Sequence, residues 1–414
     1  MDLAWISVGA LIIAVTLSMV TTINVGVVCL AFAWIVGVLM GGMSVGDLLE
    51  GFPTQLFITL AGVTLFFSMS RGNGTLERVT ERAVRLCRGH TGVLPIMFFF
   101  LALGLSTIGP GSIGATALLA PPAMAVAART NSSFFLMAVM IGNGALAGSL
   151  SPFSPTGVVA NSVMARLGFP GLEWVTFVNN ILGHTLVAFG GYAALGGLRL
   201  FGRSGQRGAE HVEPPKLAFE PKHWLTLALI VALLVLVIGF QFDVGMTAIT
   251  GATVLLFTRA ADEKEAIRGM PWGVILMVTG VTVLITLLEK TQGMALFTAM
   301  LVRLSTPDSV TAVVAFVTGV VSVYSSTSGV VLPAFLPTVP GLVKGLAGVD
   351  PIAVASAMNL GSHLVDLSPL STTGALCMAA VPAGVDSHNL FNKLLAWGLS
   401  MTVVGAALCW LMFG

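Results

Sequence analysis

Ser151-Pro152-Phe153-Ser154-Pro155-Thr156-Gly157 returns as Ser368-Pro369-Leu370-Ser371-Thr372-Thr373-Gly374, 217 positions later, with five of the seven residues identical. Each copy sets helix-breaking Pro and Gly beside small hydroxyl residues, inside a long apolar stretch. Pro removes a backbone donor and Gly weakens a helix. In lipid, backbone groups freed in this way persist only where protein buries them or a watery cavity solvates them. Interrupted helices at matching positions of two halves point to the binding site of a secondary transporter. The phrase thus predicts an all-α polytopic membrane protein built from two related halves.

Composition agrees. The 414 residues are 56% hydrophobic and 9% charged, with a mean hydropathy of +0.96, whereas soluble domains carry about 25% charged residues. A net charge of +1 offers nothing to nucleic acid, so the expected surroundings are a lipid bilayer. Cys29, Cys87, Cys377 and Cys409 form no ligand spacing and read as small apolar fillers. Met1-Asp2 lacks the positive start of a cleavable signal, so the first apolar run is expected to remain as a helix.

Apolar runs near spanning length fall at 3–20, 23–41, 54–70, 133–165 and 172–200, and again at 224–240, 244–258, 271–289, 351–380 and 391–413. Between the third and fourth member of each set lie two further apolar arms, 91–128 and 309–346, meeting in polar tips at 106–112 and 322–328. Ser106 and Ser322, Ser112 and Ser328, and Pro121 and Pro337 are each 216 apart, so the whole half repeats. Tips of Ser, Thr and Gly suit a cavity better than a surface loop. The arms therefore read as re-entrant hairpins, giving each half five spans, one hairpin and one broken helix. The first half is expected over 1–200, a cytoplasmic linker over 201–222 and the second, inverted half over 223–414.

An odd span count inverts the second half. With the N-terminus outside, 15 of the 19 basic residues lie inside, and Arg166, Lys290, Arg303 and Lys344 lie outside, as the positive-inside rule requires. Both termini are then extracytoplasmic, in an inner (plasma) membrane. Thr75 to Arg88 places Arg78, Arg82 and Arg85 on one helical face and Leu76, Val79 and Leu86 near the other, a basic helix expected on the cytoplasmic surface.

Helix ends near the midplane offer unpaired N–H groups and partial positive charge, and hydroxyls add donors. That combination suits an anion, while exposed carbonyls at the opposite half-helix ends suit Na⁺. The candidate substrate-binding residues are Ser112, Thr116, Ser154, Thr156, Ser328, Ser371 and Thr373. The candidate cation-binding residues, for Na⁺ or H⁺, are Gly111, Ser151, Thr327, Ser368 and Asp366. No other cofactor is expected. None of the four motifs contains Lys or Arg. A dianion entering against 100 mV costs about 4.6 kcal/mol, while a helix end contributes about 0.3–1 kcal/mol. An accumulating anion carrier must therefore co-transport a cation.

Asp366 and His363 lie within the second interruption, where the first half has Ser149 and Leu146. An ionisable group inside a membrane is a functional candidate; a half-helix cap is the structural alternative. Asn143 either orients ligand or packs. Asp243 and Glu289 near span ends, and His184, isolated in the sequence, read as structural.

Two halves of this order resemble the ion transporter superfamily and, within it, the divalent anion/Na⁺ symporters. The stretch Ala115-Thr116-Ala117-Leu118-Leu119-Ala120-Pro121 after the first tip is similar to that family's hairpin signature, and 151–157 to its unwound-helix site. The likeness is greatest to MatC-type dicarboxylate (malonate) carriers and spans nearly the whole chain. It implies a homodimeric elevator, in which scaffold helices hold the dimer while hairpins and broken helices carry a small dicarboxylate with its cations. The symporters' Ser-Asn-Thr tip is replaced by Gly111-Ser112-Ile113 and Thr327-Ser328-Gly329, and their Pro-Pro-Asn segment is missing. A cation/proton antiporter exchanging at Asp366 is the alternative within transport, and a pore lined by the tips is a third reading. An intramembrane hydrolase needs a nucleophile beside its base; Gly42-Met43-Ser44-Val45-Gly46 fits G-x-S-x-G, but no H-E-x-x-H is present and the six histidines lie far apart in the sequence.

Overall fold

The computed structural model describes residues 2–21, 23–86, 92–130, 132–203, 218–382 and 387–414. Cys87, Arg88 and the centre of the linker, 204–217, lie outside these. The described residues are helical with no strand. The first half comprises α1 (Leu3–Val20), α2 (Val25–Ala33), α3 (Val45–Leu49), α4 (Thr54–Gly72) and α5 (Thr75–Leu86). It continues through α6 (Val93–Ile108), α7 (Gly111–Arg129), α8 (Phe134–Gly148), α9 (Pro155–Arg166) and α10 (Glu173–Ala194). The second half comprises α11 (Pro221–Phe240), α12 (Val244–Phe257), α13 (Glu263–Gly269), α14 (Trp272–Lys290), α15 (Gly293–Arg303) and α16 (Val310–Tyr324). After a π-helical turn at Thr327–Val331 come α17 (Leu332–Phe335), α18 (Val339–Gly345), α19 (Pro351–Leu364), α20 (Thr372–Ala379) and α21 (Ser387–Phe413).

The starts of α1–α6, α8 and α9 recur as those of α11–α16, α19 and α20, each 217 to 219 positions later. The packing is crosswise. Helix α2 lies on α14 while α4 lies on α12; α1 touches α15 while α5 touches α11; α7 meets α20 while α9 meets α17. This exchange brings the two hairpins and the two broken helices to one place.

Among the described residues, four helices are long and apolar enough to cross a membrane by themselves: α7 over Gly111–Ala128, α11, α14 and α21. Others cross in pieces. The 15 residues of α8 and 12 of α9 rise about 22 and 18 Å, so the interruption between them lies within the hydrocarbon, which is about 30 Å thick. Exposed Trp5, Trp174, Trp224, Trp272 and Trp410 stand near helix ends, where amphipathic rings favour the membrane interface. The chain is a polytopic membrane protein.

Each repeated phrase turns the same way. A Cβ on Gly157 would land on the Ser151 carbonyl oxygen, and one on Gly374 on that of Ser368. The shared Gly is thus fixed by backbone passing over backbone. Gly157→Ala and Gly374→Ala are each expected to destabilise the fold by about 1–3 kcal/mol through overpacking, read as a lowered melting temperature in detergent. An unchanged melting temperature for both would contradict this packing.

The basic helix forms over Thr75–Leu86 with Leu76 buried, but Arg78 and Arg82 are engaged within the protein. Arg78 Nε donates to the Ala218 carbonyl at 2.8 Å, its guanidinium lies 3.8 Å from Glu220, and Arg82 sits 4.3 Å above the Phe219 ring. The segment entering α11 folds back over this face and takes the contacts that a membrane surface would otherwise make. A hydrogen bond from Lys222 holds Glu220 below the usual carboxylate range.

Three short helices have no counterpart in the hydropathy reading: α3, α13 and α15. Helices α3 and α13 are opened by side-chain caps, Ser44 to Asp47 N and Asp262 to Glu265 N. Helix α15 opens on Gln292 in the left-handed conformation, a turn that an apolar scan does not register.

Candidate functional site

The chain breaks where the phrase does. Helix α8 ends at Gly148 and α9 starts at Pro155, whose missing N–H costs nothing at a first helical position; α19 ends at Leu364 and α20 starts at Thr372. Tip one, Gly109-Pro110, sits against the first break. Ser151 Oγ donates to Thr107 O at 2.7 Å, and the Gly109 backbone, at φ 150°, passes so close to the Phe67 ring that no Cβ fits. Tip two lies on the second break. Thr327 Oγ1 donates to Asp366 Oδ2 at 2.7 Å, and the one proton of Ser322 Oγ is shared between Asp366 Oδ1 at 3.2 Å and the Thr327 hydroxyl oxygen.

A cavity of about 460 Å³ lies where the four breaks meet, within the range of small-molecule sites. Tip one contributes Gly109 to Ser112, the first break Pro155 and Thr156, tip two Tyr324 to Ser328, and the second break Asp366 and Leu370 to Thr373. Of the candidate residues, Gly111, Ser112, Thr156, Thr327, Ser328, Asp366, Ser371 and Thr373 line it; Thr116, Ser151, Ser154 and Ser368 do not. Ser151 and Ser368 brace the turns instead, accepting from Phe153 N at 3.2 Å and Leu370 N at 3.3 Å. Thr116 and Ser154 are fully buried, with hydroxyls that have no hydrogen-bond partner among the described residues.

The halves differ in chemistry at equivalent places. Ser371 caps α20 by accepting from Gly374 N, whereas Ser154 makes no cap on α9, where Gly157 N donates to Ser149 O at 3.0 Å. Asp366 is answered in the first half by Ser149, which bonds back to Leu146 O at 2.7 Å. The Asp366 carboxylate caps no helix; both its oxygens accept from tip-two hydroxyls. Among the described residues it is the cavity's one carboxylate, and it clasps the second hairpin to the second broken helix.

Arg71, in the last turn of α4, also lines the cavity and is, among the described residues, the one Lys or Arg to do so. It was missed because it lies outside the four motifs, in a run read as a loop. The signal available was its spacing: Phe67, four residues earlier on the same helical face, is the residue that touches tip one. The exposed lining includes Ile23 between α1 and α2, Arg71, and Gly269 and Pro271 before α14, which form the rim, together with Ile113, Tyr324, Leu370 and Thr372 at the tips and breaks.

Histidines far apart in the sequence are brought together. His184 Nδ1 lies 3.0 Å from Asn143 Oδ1, and its ring centroid is 6.5 Å from that of His363, which lines the cavity. His184 is therefore not isolated, and Asn143 serves it within the core, away from the cavity wall. Asp243 caps α12, accepting from Met246 N at 2.8 Å.

Residues 1–149 match the family model described as dicarboxylate carrier protein MatC N-terminus. The protein is a transporter, not an enzyme. The Alcanivorax borkumensis YdaH transporter has a similar fold, with a TM-score of 0.58 and 17% identity over 89% of this chain and 86% of its own. Neisseria gonorrhoeae MtrF, described as illuminating a class of antimetabolite efflux pumps, matches with a TM-score of 0.59 and 13% identity over 92% of this chain and 84% of its own. No curated protein matches the chain.

Proposed function

We propose that this transporter carries a small dicarboxylate such as malonate or a C4 acid, coupled to Na⁺ or H⁺. The supporting observation is the cavity at which both tips and both breaks meet, with Arg71 as its one fixed cation and Asp366 as its one carboxylate among the described residues. One carboxylate of the substrate pairs with Arg71, and the hydroxyls and N–H groups at the starts of α7, α9 and α20 receive the other. With Asp366 ionised, the two fixed charges cancel and the dianion stands unneutralised. A Na⁺ or proton at Asp366 relieves this, so substrate and cation bind together.

In this reading the chain is two inverted repeats joined by a cytoplasmic linker, in an inner membrane with both termini outside. The rim at Arg71 and Pro271 then faces the cytoplasm. The hairpins and broken helices form the moving body of an elevator, and α1–α5 with α11–α15 form the scaffold of a homodimer. The second reading is a cation/proton antiporter, favoured by the placement of Asp366 between two hydroxyls on the cavity wall.

Binding tests the choice. Malonate or succinate at 100-fold its dissociation constant stabilises the protein by about 2.7 kcal/mol, seen as a raised melting temperature in detergent. Acetate at equal concentration is expected to do far less. A protein indifferent to every dicarboxylate but stabilised by Na⁺ would overturn the dicarboxylate reading in favour of the antiporter.

A further inference from the structure

Helices α10 and α19 pack side by side in the same direction. Asn179 Nδ2 donates to Ser356 Oγ at 2.9 Å near their starts, and the His184 and His363 rings meet further along. Along this seam run Glu173, Thr176, Asn180 and His184 from α10, with Asn359 and His363 from α19. The spacings of three and four residues keep each set on one helical face. From Glu173 to His184 the rise is about 16 Å.

The file joins two ends of the molecule. His363 lines the cavity. Glu173 lies with Thr176 and Asn359 at a shallow depression, at the end opposite the cavity rim. Helix α14 establishes this: it begins beside Pro271 on the rim and ends at Lys290, with Glu289 in its last turn within charge-interaction range of Arg166, seven residues before Glu173.

The interior of the file is under-bonded. Thr176, Asn180, His184, Asn359 and His363 are all buried. Among the described residues Asn180 Oδ1, His184 Nε2 and both polar atoms of the Asn359 amide have no partner. A purely structural network satisfies its members. Four open positions in one seam match the two to four bonds that an internal water takes. The imidazoles are oriented alike. Asn143 Nδ2 donates to Val139 O, so Asn143 Oδ1 accepts from His184 Nδ1; His363 Nδ1 donates to Asn359 O. This network leaves Nε2 of both rings as the proton-accepting atom.

We propose that this seam is a proton path, leading from Glu173 past the unpartnered amides of Asn180 and Asn359, bridged by internal water, to His184 and then to His363 on the cavity wall. A proton arriving at an Nε2 makes a transient imidazolium and leaves to the next acceptor, so nothing but the proton moves. No Lys or Arg lies on the seam. The titratable neighbours are Asp366, one turn beyond His363; Arg166 on α9; Tyr324 at the cavity end of α16; the exposed His388 and Lys393 and the buried Cys409 on α21; the exposed Lys344 on α18; and Arg199 and Tyr192 beyond α10's inner half. Helices α8 and α17 bring none. The path would feed the cavity with protons from the side away from its mouth.

This inference rests on the transport reading and is tested separately from it. Proteoliposomes holding pyranine report proton entry, and labelled malonate or succinate reports both uptake and counterflow at equal pH. His184→Gln and Asn359→Leu, neither lining the cavity, are each expected to lower pH-driven uptake and substrate-linked proton entry at least 10-fold, with counterflow within 2-fold of the unaltered protein. Glu173→Gln is expected to lower the same signals about 3-fold. The inference is overturned if the unaltered protein shows counterflow without proton entry, or if the variants that retain counterflow keep full proton entry. It is also overturned if counterflow falls in step with proton entry in both His184→Gln and Asn359→Leu. Absence of counterflow for either acid in the unaltered protein would instead remove the dicarboxylate reading beneath it, leaving proton entry on its own to judge the path.

Discussion

Replacing Asp366 with Asn is expected to lower steady-state accumulation of substrate about 50-fold at a driving force of 100 mV, because one coupled charge moved through that potential supplies about 2.3 kcal/mol. The geometry makes the replacement a clean one. Thr327 and Ser322 donate to the two carboxylate oxygens, and an amide of the same shape keeps one acceptor while its NH₂ bonds the other hydroxyl. The clasp between hairpin and broken helix therefore survives, and the negative charge that would recruit a cation is lost. Counterflow, which needs substrate to cross but no net work, is expected to persist. Accumulation unchanged in the variant would remove Asp366 from coupling. Loss of counterflow together with accumulation would make Asp366 a structural clasp and nothing more.

Arg71→Gln is expected to raise the KM for dicarboxylate by about 10- to 150-fold, the equivalent of about 1.5–3 kcal/mol for a charge-assisted hydrogen bond. The reason lies in charge: among the described residues Arg71 is the one permanent cation on the cavity wall. Arg71→Lys retains a point charge without the planar fork and should fall between the two. Competition separates recognition from general damage. A monocarboxylate, having one group fewer to place, is expected to lose little affinity between native protein and variant. Equal losses for mono- and dicarboxylates would contradict a specific pairing with Arg71.

Much of the architecture was legible in the sequence because lipid leaves few options. The long apolar runs became helices, and both interruptions fell where Pro, Gly and hydroxyls cluster, with α8–α9 breaking at 149–154 and α19–α20 at 365–371. Eight of the twelve candidate site residues reached one cavity because tips and breaks are the places where backbone must find polar company. The remaining features depend on contacts between distant segments. Ser151 and Ser368 carry the same hydroxyl as their neighbours, and only the turn geometry points them inward to brace it. Arg71 sits in a run whose charge alone placed it in a surface loop, although the helix beneath it continues to Gly72. The meeting of His184 with His363, 179 residues apart, follows from packing α10 on α19, and no local pattern signals it. The fate of Arg78 and Arg82 on α5 likewise needed the return of 218–220 over that helix.

The central claim is that one cavity at the four breaks moves a dicarboxylate with a cation. Its most direct test is uptake of labelled malonate and succinate into proteoliposomes, with Na⁺ and pH gradients imposed one at a time. Saturable uptake of one of these acids is expected, driven by at least one of the two gradients and showing counterflow. Neither acid entering under either gradient, while Na⁺ drives proton movement across the same vesicles, would contradict it.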